Sequence, residues 1–237
     1  MKNIFVTAQY DVENRYSHNA QTTKEDYQEL TNLCTKSFRE NLVDLDEVVV
    51  LNGKVDTYHQ LFQDVYWKIQ NIYFDNMPCN ILWSDSDNLC LRSLDIFNHW
   101  DKFAMFFSAN EHQFSFVNSD CLSLVKNLTP WMMANLRHYP ANMDHHLWDI
   151  GDDLAYSWID EWAYETIIYN KMFHAQEIDD YSIFMRPEWN VQCDGPVGMI
   201  NPEMVRDSVV IHCQSTRGSR AAIDKMNRAL NFLKEGC

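Results

Sequence analysis

Short apolar runs alternate with longer periodic stretches over the N-terminal part of the chain. Ile4-Phe5-Val6 is an unbroken apolar run and reads as a buried strand. From Glu25 to Asn41 the apolar residues Tyr27, Leu30, Leu33, Cys34 and Phe38 recur at helical spacing on one stripe. Val48-Val49-Val50-Leu51 is a second buried strand, closed by Asn52-Gly53. Tyr58–Phe74 returns to helical spacing, with Leu61, Phe62, Val65, Ile69 and Ile72 inward, and Asn80–Trp83 is a third strand. Strand, helix, strand, helix, strand implies right-handed crossovers and a largely parallel sheet. Continuous apolar runs, rather than alternation, fit strands covered on both faces. The expected class is α/β: a Rossmann-like domain with a mostly parallel central sheet flanked by helices.

Later elements are less regular. Phe103–Phe107 and Phe114–Val117 read as strands, Ser119–Leu136 and Trp158–Phe173 as helices, and Val209-Val210-Ile211 as a further strand. A last helix over Arg220–Lys234 ends before Gly236, a residue suited to a helix C-terminus. No repeat, low-complexity tract or Pro/Gly/Ser-rich linker divides the 237 residues, so one domain is expected.

Hydrophobic residues make up 46% of the chain and aromatics 14%, which excludes disorder as the general state. The formal charge of −15 repels bare phosphate backbones and argues against a general nucleic-acid binder. An anionic ligand would need a local basic pocket or a metal ion. No apolar run approaches the roughly 18 residues of a membrane span, and the N-terminal apolar core is too short for a signal peptide. Seven cysteines with no CxxC pair fit reduced thiols in a cytoplasmic setting.

The third strand runs into "SDSDN", with Asp85 and Asp87 at its carboxyl end. In open α/β sheets ligands bind beyond that end of the strands. One residue apart on an extended segment, both carboxylates can face one side. Two oxygen ligands placed so suit Mn²⁺ or Mg²⁺. The same spacing also fits a turn held by Ser84, Asp85 and Asn88.

Six stretches occur in an order that resembles the GT-A glycosyltransferases, specifically the retaining, glycogenin-like family and its bacterial galactosyltransferase relatives. "IFVTAQYD" is similar to the first strand and nucleotide-contacting loop. "VYWKIQNIYFDNMPCNILWSDSDNL" is similar to the YxRL helix leading to DxD, with Lys68 in place of the arginine. "FSFVNSDCLSL" resembles the Phe-Asn-Ala-Gly strand, and "WIDEWAYETIIYNKMF" resembles the Asp-Gln helix, as Asp160-Glu161. "RPEWN" resembles the following Leu-Pro-x-x-Tyr-Asn stretch. "VVIHCQSTRGSR" resembles the late strand with a metal-binding histidine and a phosphate-contacting basic loop, without the usual Lys-Pro-Trp.

The resemblance implies a UDP-sugar donor, a carbohydrate or glycoconjugate acceptor, and a divalent cation, Mn²⁺ with Mg²⁺ as the alternative. Asp87 and His212 would hold the metal; Asp85 would share it or hold a ribose hydroxyl, with Ser86 beside it at the nucleotide. Thr7, Ala8 and Tyr10, following the first strand, would meet the base, and Tyr10 could stack on uracil. Arg217, Gly218, Ser219 and Arg220 would contact the diphosphate, aided by the free N–H groups at the last helix's start, and Lys68 would meet the diphosphate or the sugar. Asn118 would meet a sugar hydroxyl. Asp160 would meet the donor or acceptor sugar and Glu161 the β-face of the anomeric carbon; one of them would be the general base if the reaction inverts, and Glu161 would steady an oxocarbenium-like state or act as nucleophile if it retains. Trp189 and Asn190 would line the acceptor side, and "MDHHLWDIGDD", with His145 and His146, would be an acceptor-side loop. The implied layout is residues 1–110 for nucleotide-sugar binding, 111–200 mainly for the acceptor, and 201–237 for metal and phosphate.

Structural roles stand beside these. His212 after Val-Val-Ile fits a core histidine, Ser219 an N-cap, Lys68 a surface lysine and Tyr10 a rim tyrosine. Ser157-x-x-Asp160 fits a helix-capping arrangement. Two other functions are compatible with a nucleotide-sugar fold: a non-catalytic binding module and a sugar-nucleotide nucleotidyltransferase. The latter expects a Gly-rich loop after the first strand, and "TAQYDVENRYS" has no glycine.

Overall fold

The computed structural model describes residues 1–12, 23–56, 58–99, 103–107, 122–125, 181–185, 191–192, 200–213 and 219–236. The elements are β1 (Lys2–Val12), α1 (Lys24–Asn41), β2 (Glu47–Val55), α2 (Tyr58–Asp75), β3 (Cys79–Ser84), β4 (Asn88–Cys90), α3 (Ile96–His99), β5 (Phe103–Phe107), β6 (Leu122–Val125), β7 (Tyr181–Met185), β8 (Val191–Gln192), α4 (Pro202–Asp207), β9 (Val210–His212) and α5 (Ser219–Lys234).

The main sheet has six strands in the order β2-β1-β3-β6-β5-β7. β1 pairs parallel with both β2 and β3, as the crossover pattern requires. All six residues of β3 are buried, which explains why its sequence shows no alternation. The far half is mixed: β6 runs antiparallel to both β3 and β5, and β5 pairs parallel with β7. Within the helix expected over Ser119–Leu136, Leu122–Val125 is a strand, and the rest of that stretch lies outside the described residues. Four residues, Leu-Ser-Leu-Val, are too few to show a helical or strand period, and β3 supplies hydrogen-bond partners that fix them as a strand. Phe114–Val117 and Trp158–Phe173 lie outside the described residues.

A second correction concerns β2, which does not close at Asn52-Gly53 but continues to Val55. Gly53 lies opposite Tyr10 in the β1–β2 register. A Cβ at Gly53 would come 2.3 Å from Tyr10 Cε1, so the glycine makes room for a ring rather than a turn.

α1 starts at a capping box in which the Thr23 side chain accepts from the Asp26 N–H and the Asp26 carboxylate accepts from the Thr23 N–H. Its buried residues include Leu30, Cys34 and Phe38, and the Phe38 ring stacks on Phe5 at 4.3 Å. α5 buries Ala222, Ile223, Lys225, Met226 and Ala229. These two helices, with β4, β9, α3 and α4, share one core with Phe5 and Leu82 of the main sheet. The four described cysteines, Cys34, Cys79, Cys90 and Cys213, are buried free thiols. Among the described residues no helix is long and apolar enough to cross a membrane.

Candidate metal centre

β3 ends at Ser84, and the chain turns over Asp85–Asn88, where the Asn88 N–H donates to the Asp85 carbonyl at 3.4 Å. The two aspartates thus occupy a turn, not the extended segment their spacing suggested. Ser84 Oγ donates to the same carbonyl at 3.0 Å, the Cys34 thiol reaches it at 3.6 Å, and Asn88 Nδ2 donates to Ser84 Oγ at 3.0 Å. These bonds hold the turn from beneath.

After the turn, β4 leaves the main sheet and joins a small sheet of order β4-β9-β8. Asn88 pairs with His212 across the antiparallel β4–β9 ladder. The Cys213 N–H donates to the Asp87 carbonyl at 2.9 Å, and the Leu91 N–H to Val209 at 2.7 Å. Arg92 Nη1 donates to the carbonyls of Val205 at 2.6 Å and Ser208 at 2.5 Å, tying the segment before β9 to the same place. From α1, Asn41 Nδ2 donates to the Cys90 carbonyl at 2.9 Å, and Ser37 Oγ accepts from the Cys90 N–H at 3.0 Å.

This framework brings Asp85, Asp87 and His212 together. One ligand atom from each lies within 4.8 Å of the others, the single such group of three among the described residues. His212 Nε2 is 3.2 Å from Asp87 Oδ1; the His212 side chain is 2% exposed and that of Asp87 22%. Two carboxylates and one imidazole form a donor set that can hold a divalent cation such as Mn²⁺, with room left for other ligands. Burial opposes ionisation of Asp87, but His212, a backbone N–H and the Lys225 ammonium outweigh it and hold the carboxyl below its ordinary value. Burial, then the charges of Asp87 and Asp85, push the Cys34 thiol well above its ordinary value, so it stays a neutral hydrogen-bond donor.

Lys225 and Arg92 escaped the sequence reading. Lys225 is 1% exposed on α5. Its signal was available: a lysine in line with Ala222, Met226 and Ala229 on the apolar stripe. Arg92 has no such local sign, because its partners lie in a remote segment.

The remaining expected site residues fall in different places. Thr7, Ala8 and Tyr10 lie within β1, which runs on to Val12, rather than after it. Thr7 is fully buried, and its Oγ1 has no hydrogen-bond partner among the described residues. Tyr10 is 4% exposed, not at the rim. Its hydroxyl donates to Asp64 Oδ2 at 2.5 Å and accepts from Lys68 Nζ at 2.9 Å. Lys68 also pairs with Asp64 at 2.6 Å, donates to the Asn52 carbonyl at 2.8 Å and lies 5.0 Å from the Tyr10 ring centroid. Burial and the bond to Asp64 push the Tyr10 hydroxyl up to about 12. Beside this cluster a cleft of about 270 Å³ is lined by Gln9, Tyr10, Asp11, Tyr27 and Gly53 among others.

Ser86 is half-buried in the Asp85–Asn88 turn, and Ser219 is buried at the first position of α5. The exposed Arg220 lies against α1 and its own helix, 3.1 Å from Glu29, 3.7 Å from Asp26 and 3.7 Å from Asp224. Asn118, His145, His146, Asp160, Glu161, Trp189, Asn190, Arg217 and Gly218 lie outside the described residues.

No family model matches the sequence, and no curated protein matches it. Solved structures do. A glycosyltransferase involved in the glycosylation of the major capsid of PBCV-1 aligns with a TM-score of 0.58 at 14% identity, over 96% of this chain and 100% of its own. The apo-form glycosyltransferase GlyE of Streptococcus pneumoniae TIGR4 aligns with a TM-score of 0.54 at 12% identity, over 99% of this chain and 63% of its own. At such identities the likeness is one of fold. The chain has the α/β fold of these glycosyltransferases, with a DxD-type pair at the carboxyl end of the central strand β3.

Proposed function

We propose that this chain is a metal-dependent glycosyltransferase that moves a hexose-type sugar from a UDP-sugar to a carbohydrate or glycoconjugate acceptor, with retention of configuration. The observation that carries the reading is the meeting of Asp85, Asp87 and His212 at the carboxyl end of β3, in a fold shared with glycosyltransferases. Each ligand type suits the task. The two carboxylates attract a hard cation, and the imidazole favours Mn²⁺ over Mg²⁺. When bound, the cation supplies Lewis-acid stabilisation of the charge that grows on a departing diphosphate.

The chain's own residues do the rest. Asp87 and His212 hold the cation, and Asp85 shares it or takes a ribose hydroxyl. Arg217 and Arg220, with the N–H groups at the start of α5, favour the diphosphate. Tyr10, held by Asp64 and Lys68, forms one wall of the cleft at the ends of β1 and β2, and in this reading the uracil and ribose bind there. Asp160 and Glu161 act at the anomeric carbon. The domain works as one unit in the cytoplasm.

The test is a thermal-shift and calorimetric screen of nucleotide sugars with Mn²⁺ and with EDTA. Stabilisation by a UDP-sugar only when Mn²⁺ is present is expected. Binding that ignores EDTA would refute the metal role. Glu161→Gln should retain UDP affinity and lose transfer; transfer at the wild-type rate would remove Glu161 from the chemistry.

A further inference from the structure

α5 carries a lysine where its apolar stripe calls for another hydrophobe. Ser219, Ala222, Ile223, Met226 and Ala229 recur at helical spacing on its buried face. Lys225 is buried among them, three residues from Ala222 and four from Ala229. Its side chain is 1% exposed, so the ammonium does not reach bulk water. An isolated buried ammonium is costly, and a methionine of similar length would fill the same space without that cost. A lysine in this position therefore points to negative charge inside the protein.

The packing around α5 tells which charge. Ala222, Ile223, Met226 and Ala229 belong to one core cluster with Leu89 and Cys90 of β4, Val210 and Ile211 of β9, and Cys213. Those strand residues flank Asn88 and His212, which pair across the β4–β9 ladder, and Asp87 immediately precedes Asn88. Cys34 of α1 belongs to the same cluster, with its thiol on the Asp85 carbonyl. The buried face of α5 thus backs onto the small sheet that presents Asp85, Asp87 and His212. Burial opposes the Asp87 carboxylate, and the Lys225 charge acts with His212 to offset it.

We propose that Lys225 is a built-in counter-ion of the metal centre, a positioning residue whose fixed charge weakens cation binding and makes the cation-loaded centre attract an anion. Among the described residues, the two carboxylates and this ammonium together carry one net negative charge. A divalent cation turns that into one net positive charge, which draws in an anionic diphosphate. With a neutral residue at position 225, the same centre would carry two negative charges before a cation binds and none afterwards. Lys225 therefore acts in opposite directions on the two ligands. A lysine kept only for packing would move both affinities the same way, or neither. The effect on the cation stands on the centre alone; that the anion is a nucleoside diphosphate rests on the glycosyltransferase reading.

The experiment compares the full chain with Lys225→Met and Lys225→Arg by calorimetry, first with Mn²⁺ alone and then with UDP at saturating Mn²⁺. A pH of about 8, well above the ordinary carboxylate range, keeps carboxyl titration out of the comparison. Lys225→Met should bind Mn²⁺ about tenfold more tightly than wild type and UDP about tenfold more weakly, while Lys225→Arg stays within about threefold of wild type on both. Mn²⁺ should also raise the melting temperature of Lys225→Met more than that of wild type. Lys225→Gln, neutral but polar, carries the same test should Lys225→Met not fold. Mn²⁺ affinity that falls or stays level in the neutral variants would overturn the proposal, as would a wild type that binds no Mn²⁺, or UDP affinity that the loss of charge leaves unchanged. If the wild type binds Mn²⁺ but no UDP, the function proposed above falls, and a tighter Mn²⁺ site in the neutral variants still upholds the counter-ion.

Discussion

Two acidic clusters lie toward the carboxyl ends of the parallel strands, and they are finished differently. Asp64 finds its counter-charge one helical turn away, in Lys68, and both engage the Tyr10 hydroxyl. The Lys68 ammonium meets three oxygen partners, matching its three donors. That cluster is complete without any ligand. Asp85 and Asp87 instead face an imidazole, with the Lys225 ammonium acting on Asp87 from α5. Among the described residues that leaves two negative charges against one, a place where a cation is favoured. The contrast teaches that acidic residues at a strand end are not informative in themselves; the supply of local counter-charge separates a brace from a binding centre.

The difference can be tested by breaking each cluster. The largest effect belongs to Asp87→Ala, which should lower Mn²⁺ affinity by at least about 100-fold in calorimetry; unchanged Mn²⁺-dependent UDP binding would falsify the distinction. Next is Gly53→Ala, which pushes a Cβ into the Tyr10 ring held by Asp64 and Lys68. A cost of about 1–3 kcal/mol in denaturant unfolding is expected, with Mn²⁺ affinity kept. Asp64→Asn should cost less than about 1 kcal/mol, because its pair with Lys68 is 38% and 35% exposed.

The smallest effect is a pH slope. Burial opposes the Asp64 carboxylate, but Lys68 and Tyr10 hold its pKa below the ordinary value. A depressed carboxyl gives stability that is fully present above its unfolded pKa and is lost as pH falls through the folded one. Wild type should therefore lose slightly more stability than Asp64→Asn on acidification below the ordinary carboxylate range. Parallel unfolding curves for the two proteins would show that Asp64 is no brace.

The legible part of the fold was its local part. β1, α1, β2, α2 and β3 follow from runs and periods confined to each element, and their order dictates parallel pairing. β2 was cut short because Gly53 reads as punctuation when its partner Tyr10 cannot be seen. Leu122–Val125 read as helix because pairing with β3, not its own pattern, makes it a strand. At the site, Asp85 and Asp87 announce themselves by position. His212 was legible only through likeness to a known motif order, since nothing near Val210-Ile211 says that β4 lies beside it. Lys225 was readable, as a charge on an apolar stripe, and went unread. Arg92 was not readable, because its carbonyl partners meet it only through tertiary structure.

The pairing of β4 with β9 also sets a schedule. As the ribosome releases the polypeptide, the aspartate turn emerges well before His212. Closing so long a loop is slow compared with forming the helices between β1 and β3. Nascent chains stalled before Val210 should therefore carry a paired β1–β3 unit yet leave the six-line electron spin resonance signal of free Mn²⁺ undiminished. The cation centre would close only once β9 has been made, so a chain halted before it would lack that centre.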